Sequence, residues 1–319
     1  MFKWKKLGLV FNPTEYKNNK WLNEFAQAPS VLEYDSFIRV YFSCRPKPNE
    51  QGQYVSYSSY VDLNKNNFDV LKVAENPILD LGKLGTFDEF GTYPASVIKT
   101  DDNYMVFYGG WTRCESVPFN VAIGCGISDD GKVFEKLGNG PILSYSLDEP
   151  FILSGPKIRK FGDTYYLFYI AGRKWVMVND KPEPVYKIRM ATSKDALTWE
   201  KYNKDLIEDL LNENEAQASP DVIFANGKYH MFFCYREASD FRKNKDRSYR
   251  VGYAYSTDLV SWIRDDSKVG IETSKEGWDS EMIAYPHVIQ LNGKYYMFYL
   301  GNEVGRYGFG VAELEGELL

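Results

Sequence analysis

Histidine and cysteine are scarce in this chain: two His and four Cys among 319 residues. Cys44, Cys114, Cys125 and Cys234 form no CxxC pair. A zinc site and a disulfide framework are both unexpected on that ground, and no cofactor is implied. No apolar run approaches the ~20 residues needed to span a bilayer, so no membrane role is expected. Basic charge is not concentrated anywhere. The 38 Lys and Arg are interspersed with 44 Asp and Glu, for a net charge of −6, which argues against a nucleic-acid partner. Met1-Phe2-Lys3-Trp4-Lys5-Lys6 is positively charged, but no apolar segment follows it. It does not read as a signal peptide, and a cytoplasmic location is expected.

Aromatic residues are plentiful at 16%, with 25 Tyr and 20 Phe, as suits a β protein. They recur in order. Val40-Tyr41-Phe42, Met105-Val106-Phe107-Tyr108, Tyr166-Leu167-Phe168-Tyr169, His230-Met231-Phe232-Phe233 and Tyr296-Met297-Phe298-Tyr299 are five copies of one strand. With Phe42, Tyr108, Tyr169, Phe233 and Tyr299 taken as equivalent, the steps are 66, 61, 64 and 66 residues. A period of that size with strand-like content implies a ring of repeated sheets, since one such sheet cannot bury both its faces alone.

Each repeat divides into strands. The first follows a proline, as in Asp221-Val222-Ile223 and His287-Val288-Ile289. Asn226-Gly227 and Asn292-Gly293 then signal type I′ hairpins, because both central positions of that turn need φ > 0. The aromatic strand is second. The third carries alternating small residues, as in Ala122-Ile123-Gly124-Cys125-Gly126, which would let neighbouring sheets approach closely. Ser193-Lys194-Asp195 with Trp199, and Ser256-Thr257-Asp258 with Trp262, read as structural turns that pin an outer strand. The last repeat stops after its third strand, and Trp4–Phe11 has strand character without a repeat of its own. The predicted fold is all-β: a single five-bladed propeller of four-stranded antiparallel blades over residues 1–319, closed by the N-terminal strand. Its repeats run roughly 24–75, 89–140, 149–205, 215–270 and 281–319 plus strand 4–11.

The Pro-Asp-Val-Ile strand, the Asn-Gly-Lys-Tyr turn and the Ser-x-Asp-x-x-x-Trp turn resemble the five-bladed β-propeller glycosidase superfamily. Its members include arabinanases, β-xylosidases, invertases, levansucrases and mannoside phosphorylases. The resemblance covers nearly the whole chain. It implies a carbohydrate ligand in a funnel at one end of the axis, carboxylates at the start of the innermost strands, and room for an axial calcium or sodium ion. The chain departs from that pattern where the chemistry lies. Arabinanase-like members carry an acid just before the Pro of two innermost strands. Here those positions are Ala28, Tyr93, Gly155, Ser219 and Tyr285, preceded by Gln27, Thr92, Ser154, Ala218 and Ala284. None is acidic. Asp221 alone matches an acidic position of the superfamily, one given to tuning.

Five residues before each Pro stand Glu24, Glu89, Phe151, Glu215 and Glu281. In a propeller that offset lies in the loop entering the innermost strand, so four Glu are expected round one mouth, where a pair could act as acid and base. The bland alternative is that each caps its own loop or pairs with a neighbouring blade. Glu89 and Glu281 both precede Tyr-Pro and are the preferred pair, with Glu215 and Asp221 as further catalytic candidates. Residues after the aromatic strands return to the same end: Arg45, Trp111, Arg236 and Asn302. The two Arg suit an anion and Trp111 a sugar face. Tyr93, Tyr285, His287 and Glu24 complete the expected binding set. The leading expectation is a carbohydrate-active enzyme that cleaves or transfers a glycosidic bond on a small anionic sugar: phosphorylated, nucleotide-linked or acidic. The alternative is a sugar-binding propeller without catalysis. Oligomeric state is not legible.

Overall fold

The computed structural model describes residues 1–16 and 20–319. The chain opens on β1 (Trp4–Phe11), and four complete blades follow. The first is β2 (Glu24–Glu33), β3 (Phe37–Arg45), β4 (Tyr57–Asn64) and β5 (Val70–Val73). The second is β6 (Thr92–Lys99), β7 (Tyr104–Arg113), β8 (Phe119–Ser128) and β9 (Glu135–Lys136). The third is β10 (Leu153–Phe161), β11 (Thr164–Val178), β12 (Lys181–Ser193) and β13 (Glu200–Lys201). The fourth is β14 (Glu215–Ala225), β15 (Lys228–Glu237), β16 (Arg250–Ser256) and β17 (Ile263–Arg264). The fifth joins β18 (Ala284–Leu291), β19 (Lys294–Leu300) and β20 (Phe309–Leu314) to β1, which pairs antiparallel with β20 as its outer strand. The N-terminus thus closes the ring and covers an edge. No helix among the described residues is long and apolar enough to cross a membrane.

The aromatic second strands form the packing between blades. Phe42, Phe107, Phe168, Phe232 and Phe298 are fully buried; each such ring contributes about 1.5–3 kcal/mol over an exposed one. The Asn-Gly turns form as their sequence demands, with φ of 48° and 75° at Asn226-Gly227 and 50° and 79° at Asn292-Gly293. In the third strands, small residues serve the strand beside them rather than the next sheet. A Cβ on Gly124 would lie 2.4 Å from the ring of Tyr108, its cross-strand partner, and one on Gly252 would lie 2.5 Å from Phe233. The aromatic ring lies over the bare backbone opposite it. Asp195 and Asp258 accept two backbone N–H bonds each from their own turns, a structural role.

A buried acid latches the outermost strand in four blades. Asp88 accepts from Tyr108 Oη at 2.8 Å and from Lys136 Nζ of β9 at 2.5 Å. Glu149 accepts from Tyr169 Oη at 2.7 Å and from Lys201 Nζ of β13. Glu215 meets Arg264 of β17 at 2.6 Å. Asp279 accepts from Tyr299 Oη at 3.0 Å and from Lys6 Nζ of β1 at 2.7 Å. The closing strand therefore supplies, through Lys6, the latch cation that blades two to four supply from within.

Candidate functional site

Every innermost strand is bulged at the same place. Pairing slips between Gln27 and Ser30, Thr92 and Ala95, Ser154 and Lys157, Ala218 and Asp221, and Ala284 and His287. The residue before the proline is left-handed in four blades: Ala28 (φ 52°), Gly155 (61°), Ser219 (50°) and Tyr285 (51°); in the remaining blade, the Tyr93–Pro94 peptide is cis. For residues other than glycine, such a backbone costs on the order of 1–3 kcal/mol each, and strain of this kind gathers where a site must be shaped. These bulges form the floor of a cavity of about 830 Å³ at one end of the axis, a size that suits a small ligand.

Among the described residues the bulges bring no carboxylate to this floor. They present Gln27, Tyr93, Ser154, Gly155, Ser219 and Tyr285. The Ser219 hydroxyl is buried and has no hydrogen-bond partner among the described residues. Two guanidiniums enter the walls beside it. Arg236, buried, donates to Tyr249 Oη at 3.1 Å, Tyr186 Oη at 3.3 Å, and the carbonyls of Glu237 and Pro184. Arg45, partly open to the cavity, donates to Ser56 Oγ at 3.2 Å and Gln27 Oε1 at 3.4 Å, with its guanidinium 4.6 Å from the ring centroid of Phe25. Among the described residues neither makes a salt bridge. Burial pushes Arg45 below its ordinary range. Burial opposes the charge of Arg236 too, and the phenol oxygens of Tyr186 and Tyr249 that accept from it work the other way. Burial also drives the Tyr249 and Tyr285 phenols well above their ordinary range, so both are neutral near pH 7 and supply no counter-charge.

Arg45, Trp111, Tyr93, Arg236, Tyr285 and Glu281 all line this cavity. The other expected site residues do not. Glu24 accepts from Arg306 at 3.1 Å and from Tyr54 Oη at 2.9 Å. Glu89 accepts from the Gly85 N–H at 2.9 Å and caps its own loop. Glu215, fully buried, is held by Arg264 and by the N–H groups of Leu210 and Leu211. Burial alone would raise its carboxyl; Arg264 and those N–H groups outweigh burial and lower it. Asn302 accepts from the Glu281 N–H at 2.8 Å and so positions the loop carrying that Glu. The convergence of four Glu on one mouth is thus not what the chain builds: three are spoken for by their own surroundings.

Asp221 and His287 lie buried one step below the floor. Asp221 meets Arg159 at 2.6 Å and accepts from the Val288 N–H at 2.6 Å. His287 Nε2 accepts from the Val31 N–H at 3.0 Å, which leaves its proton on Nδ1, 3.3 Å from Asp221. Burial lowers His287 to about 4, so it is neutral near pH 7. Lys157 Nζ sits at the same level, donating to the Pro29 carbonyl at 2.9 Å. This axial set does not fit the calcium or sodium ion that the resemblance allowed. Its oxygens and nitrogens are already engaged, an ammonium stands among them, and no His, Cys, Asp and Glu cluster suited to a metal occurs among the described residues.

The cavity also gathers residues with weaker sequence signals. Tyr186, Pro184 and Glu183 come from the overhang of the long β11–β12 hairpin, whose pairing runs out to Val178 and Lys181. Phe241 is stacked between Arg236, at 3.7 Å from its centroid, and Arg242, at 4.4 Å. Arg242 pairs with Glu183 at 3.5 Å. Of the carboxylates at the rim, Glu183 is thereby engaged and Glu303 is tied to Arg306 at 2.8 Å. Glu281 and Glu115 remain, and no side-chain hydrogen bond holds either among the described residues. The unusual length of this one hairpin was the available clue to its role.

No family model matches the chain. It is 34% identical over 312 residues to two Mycobacterium tuberculosis proteins without an assigned function, MT1551 (strain CDC 1551 / Oshkosh) and Rv1502 (strain ATCC 25618 / H37Rv). The match spans 98% of this chain and 99% of theirs. It is 26% identical to a 1,2-beta-oligomannan phosphorylase of Thermoanaerobacter sp. (strain X514), over 61% of this chain and 58% of that one. In fold it is similar to a glycoside hydrolase (TM-score 0.77, 18% identity, 98% of this chain and 92% of that chain). It is also similar to a structure from the GH130 family of mannoside phosphorylases (TM-score 0.70, 16% identity, 98% and 94%). The near full-length match leads to one placement: the chain belongs to one family with the mycobacterial proteins, and its fold is that of the five-bladed β-propellers.

Proposed function

We propose that the protein cleaves a glycosidic bond of a small sugar by phosphorolysis, with inorganic phosphate bound at the cavity floor between Arg45 and Arg236. The observation that carries this reading is the pair of guanidiniums without a carboxylate partner, among the described residues, in the walls of a half-open, tyrosine-rich cavity. Buried cations ordinarily require an anion, and Arg is suited to bidentate contact with phosphate. Hydrolysis by the usual route needs two carboxylates flanking the bond. The floor offers none, and Glu281 is the rim carboxylate best placed by the sequence pattern to reach inward. Phosphorolysis needs only one acid, because phosphate brings the nucleophile. A phosphate oxygen attacks the anomeric carbon as its bond to the leaving oxygen breaks. Glu281 protonates that leaving oxygen, and the product is a sugar 1-phosphate. The partial similarity to an oligomannan phosphorylase supports a β-1,2-linked mannoside as the sugar to try first. Phosphorus NMR of the protein with β-1,2-mannobiose and phosphate tests this reading. A sugar 1-phosphate signal is the expected result. Release of free sugar alone overturns phosphorolysis in favour of hydrolysis. Binding without any turnover favours the non-catalytic sugar-binding reading, to which the acid-free floor also lends itself.

A further inference from the structure

Four half-buried aromatic rings continue outward from the cavity floor between the second and third blades. Trp111 lies 5.6 Å from Tyr93, Phe119 lies 4.3 Å from Trp111, Trp175 lies 5.7 Å from Phe119, and Phe151 lies 6.0 Å from Trp175, all between ring centroids. Tyr93 is buried at the floor, whereas the four rings beyond it are only half-buried. Trp111 and Phe119 belong to the cavity wall; Trp175 and Phe151 extend the row beyond it.

The row is held in place from behind. Trp111 Nε1 donates to the Tyr93 carbonyl at 2.6 Å, which fixes the plane of its ring. Phe151 packs on Gly172, where a Cβ would come within 2.4 Å of its ring. Trp175 sits on the overhang of β11, opposite Pro184 of β12. Its Nε1 makes no hydrogen bond among the described residues, so a donor is left at the edge of the row. Glu115, on the connection between β7 and β8, and Lys181, the first residue of β12, line the cavity. Fixed aromatic faces, a free N–H and flanking charges are the components of a sugar-stacking surface. Their partial exposure leaves ring surface open to a ligand.

The geometry points to a track of outer sugar-binding positions along Trp111, Phe119, Trp175 and Phe151, which takes the second and later units of an oligosaccharide whose terminal unit occupies the cavity. This inference rests on the proposed reading of the cavity as a glycoside site. It adds that the substrate is a chain rather than a disaccharide, and that blades two and three grip it.

Calorimetric titration with β-1,2-linked mannooligosaccharides of two to five units, in phosphate-free buffer, tests the track. Affinity is expected to rise at least about tenfold between the two-unit and four-unit chains. Trp175→Ala should abolish that gain, and Trp175→Phe should restore most of it. Phe119→Leu is a second variant on the same row, should Trp175→Ala melt early. A flat affinity across the wild-type series overturns the track while leaving the cavity reading intact, provided the two-unit chain binds. An undiminished length preference in folded Trp175→Ala and Phe119→Leu overturns it as well. Failure of every chain to bind removes the cavity reading and the track with it.

Discussion

Arg236 carries its charge into the protein and, among the described residues, meets two phenols, two carbonyls and the ring of Phe241. Arg45 finds a hydroxyl, an amide oxygen and aromatic rings. Both were legible as anion-binding candidates because Ser43-Cys44-Arg45 and Cys234-Tyr235-Arg236 are near copies that follow equivalent strands. Glu281 was legible as an acid but not as the one that stays free. Spacing put it in a class with Glu24, Glu89 and Glu215, and spacing says nothing about which partners wait for each side chain. Glu89 turns back on Gly85 and Glu215 inward on Arg264. If Glu281 is the proton donor, Glu281→Gln lowers turnover by about 10²–10⁴-fold while binding of the disaccharide persists. Steady-state kinetics with parallel calorimetry checks both halves. A variant with unchanged kcat removes Glu281 from the chemistry.

At the level of the strand and blade, the sequence was most transparent where geometry leaves little choice. Asn-Gly needs two positive φ angles and obtains them, and the aromatic strands lie second in each blade. The acid latch was hidden by its irregular spacing: Asp88, Glu149, Glu215 and Asp279 stand at different distances from their prolines. Bulges and loop length absorb the difference, so a fixed offset selected a loop-capping neighbour, Glu89, over the latch residue Asp88. The latch has a consequence for stability. The Glu215 carboxyl is lower in the folded protein than the ~4.3 of an unfolded chain, so its contribution is present above that value and is lost as pH falls through the folded-state value. Glu215→Gln should destabilise the protein at pH 7 by on the order of 3 kcal/mol, since it leaves the Arg264 cation short of a partner. The difference from wild type should shrink in acid. Arg264 also donates to Asp266 at 2.8 Å; denaturant unfolding at pH 7 and pH 3 measures both effects, and equal stability at pH 7 would show that Asp266 alone satisfies Arg264.

On the scale of the whole molecule, the ring and its closing strand followed from a repeat of about sixty residues that runs out one strand early. The strained bulges did not announce themselves, because Ala28, Ser219 and Tyr285 are not residues that favour a left-handed backbone. The ring's architecture imposes that conformation, and it turns four of the five pre-proline positions, Tyr93, Gly155, Ser219 and Tyr285, toward one cavity. The superfamily resemblance would have acids there; this chain has a serine, a glycine, an alanine and two tyrosines, with arginines beside them. Those arginines are proposed to hold an anion. The direct measurement is thermal unfolding against added phosphate, compared with chloride at matched ionic strength, for wild type, Arg45→Met and Arg236→Met. The account predicts a phosphate-specific rise for wild type that both variants lose, with about 2.7 kcal/mol of stabilisation at a hundredfold excess over Kd. Equal responses to phosphate and chloride, or a full phosphate response in both variants, would contradict it.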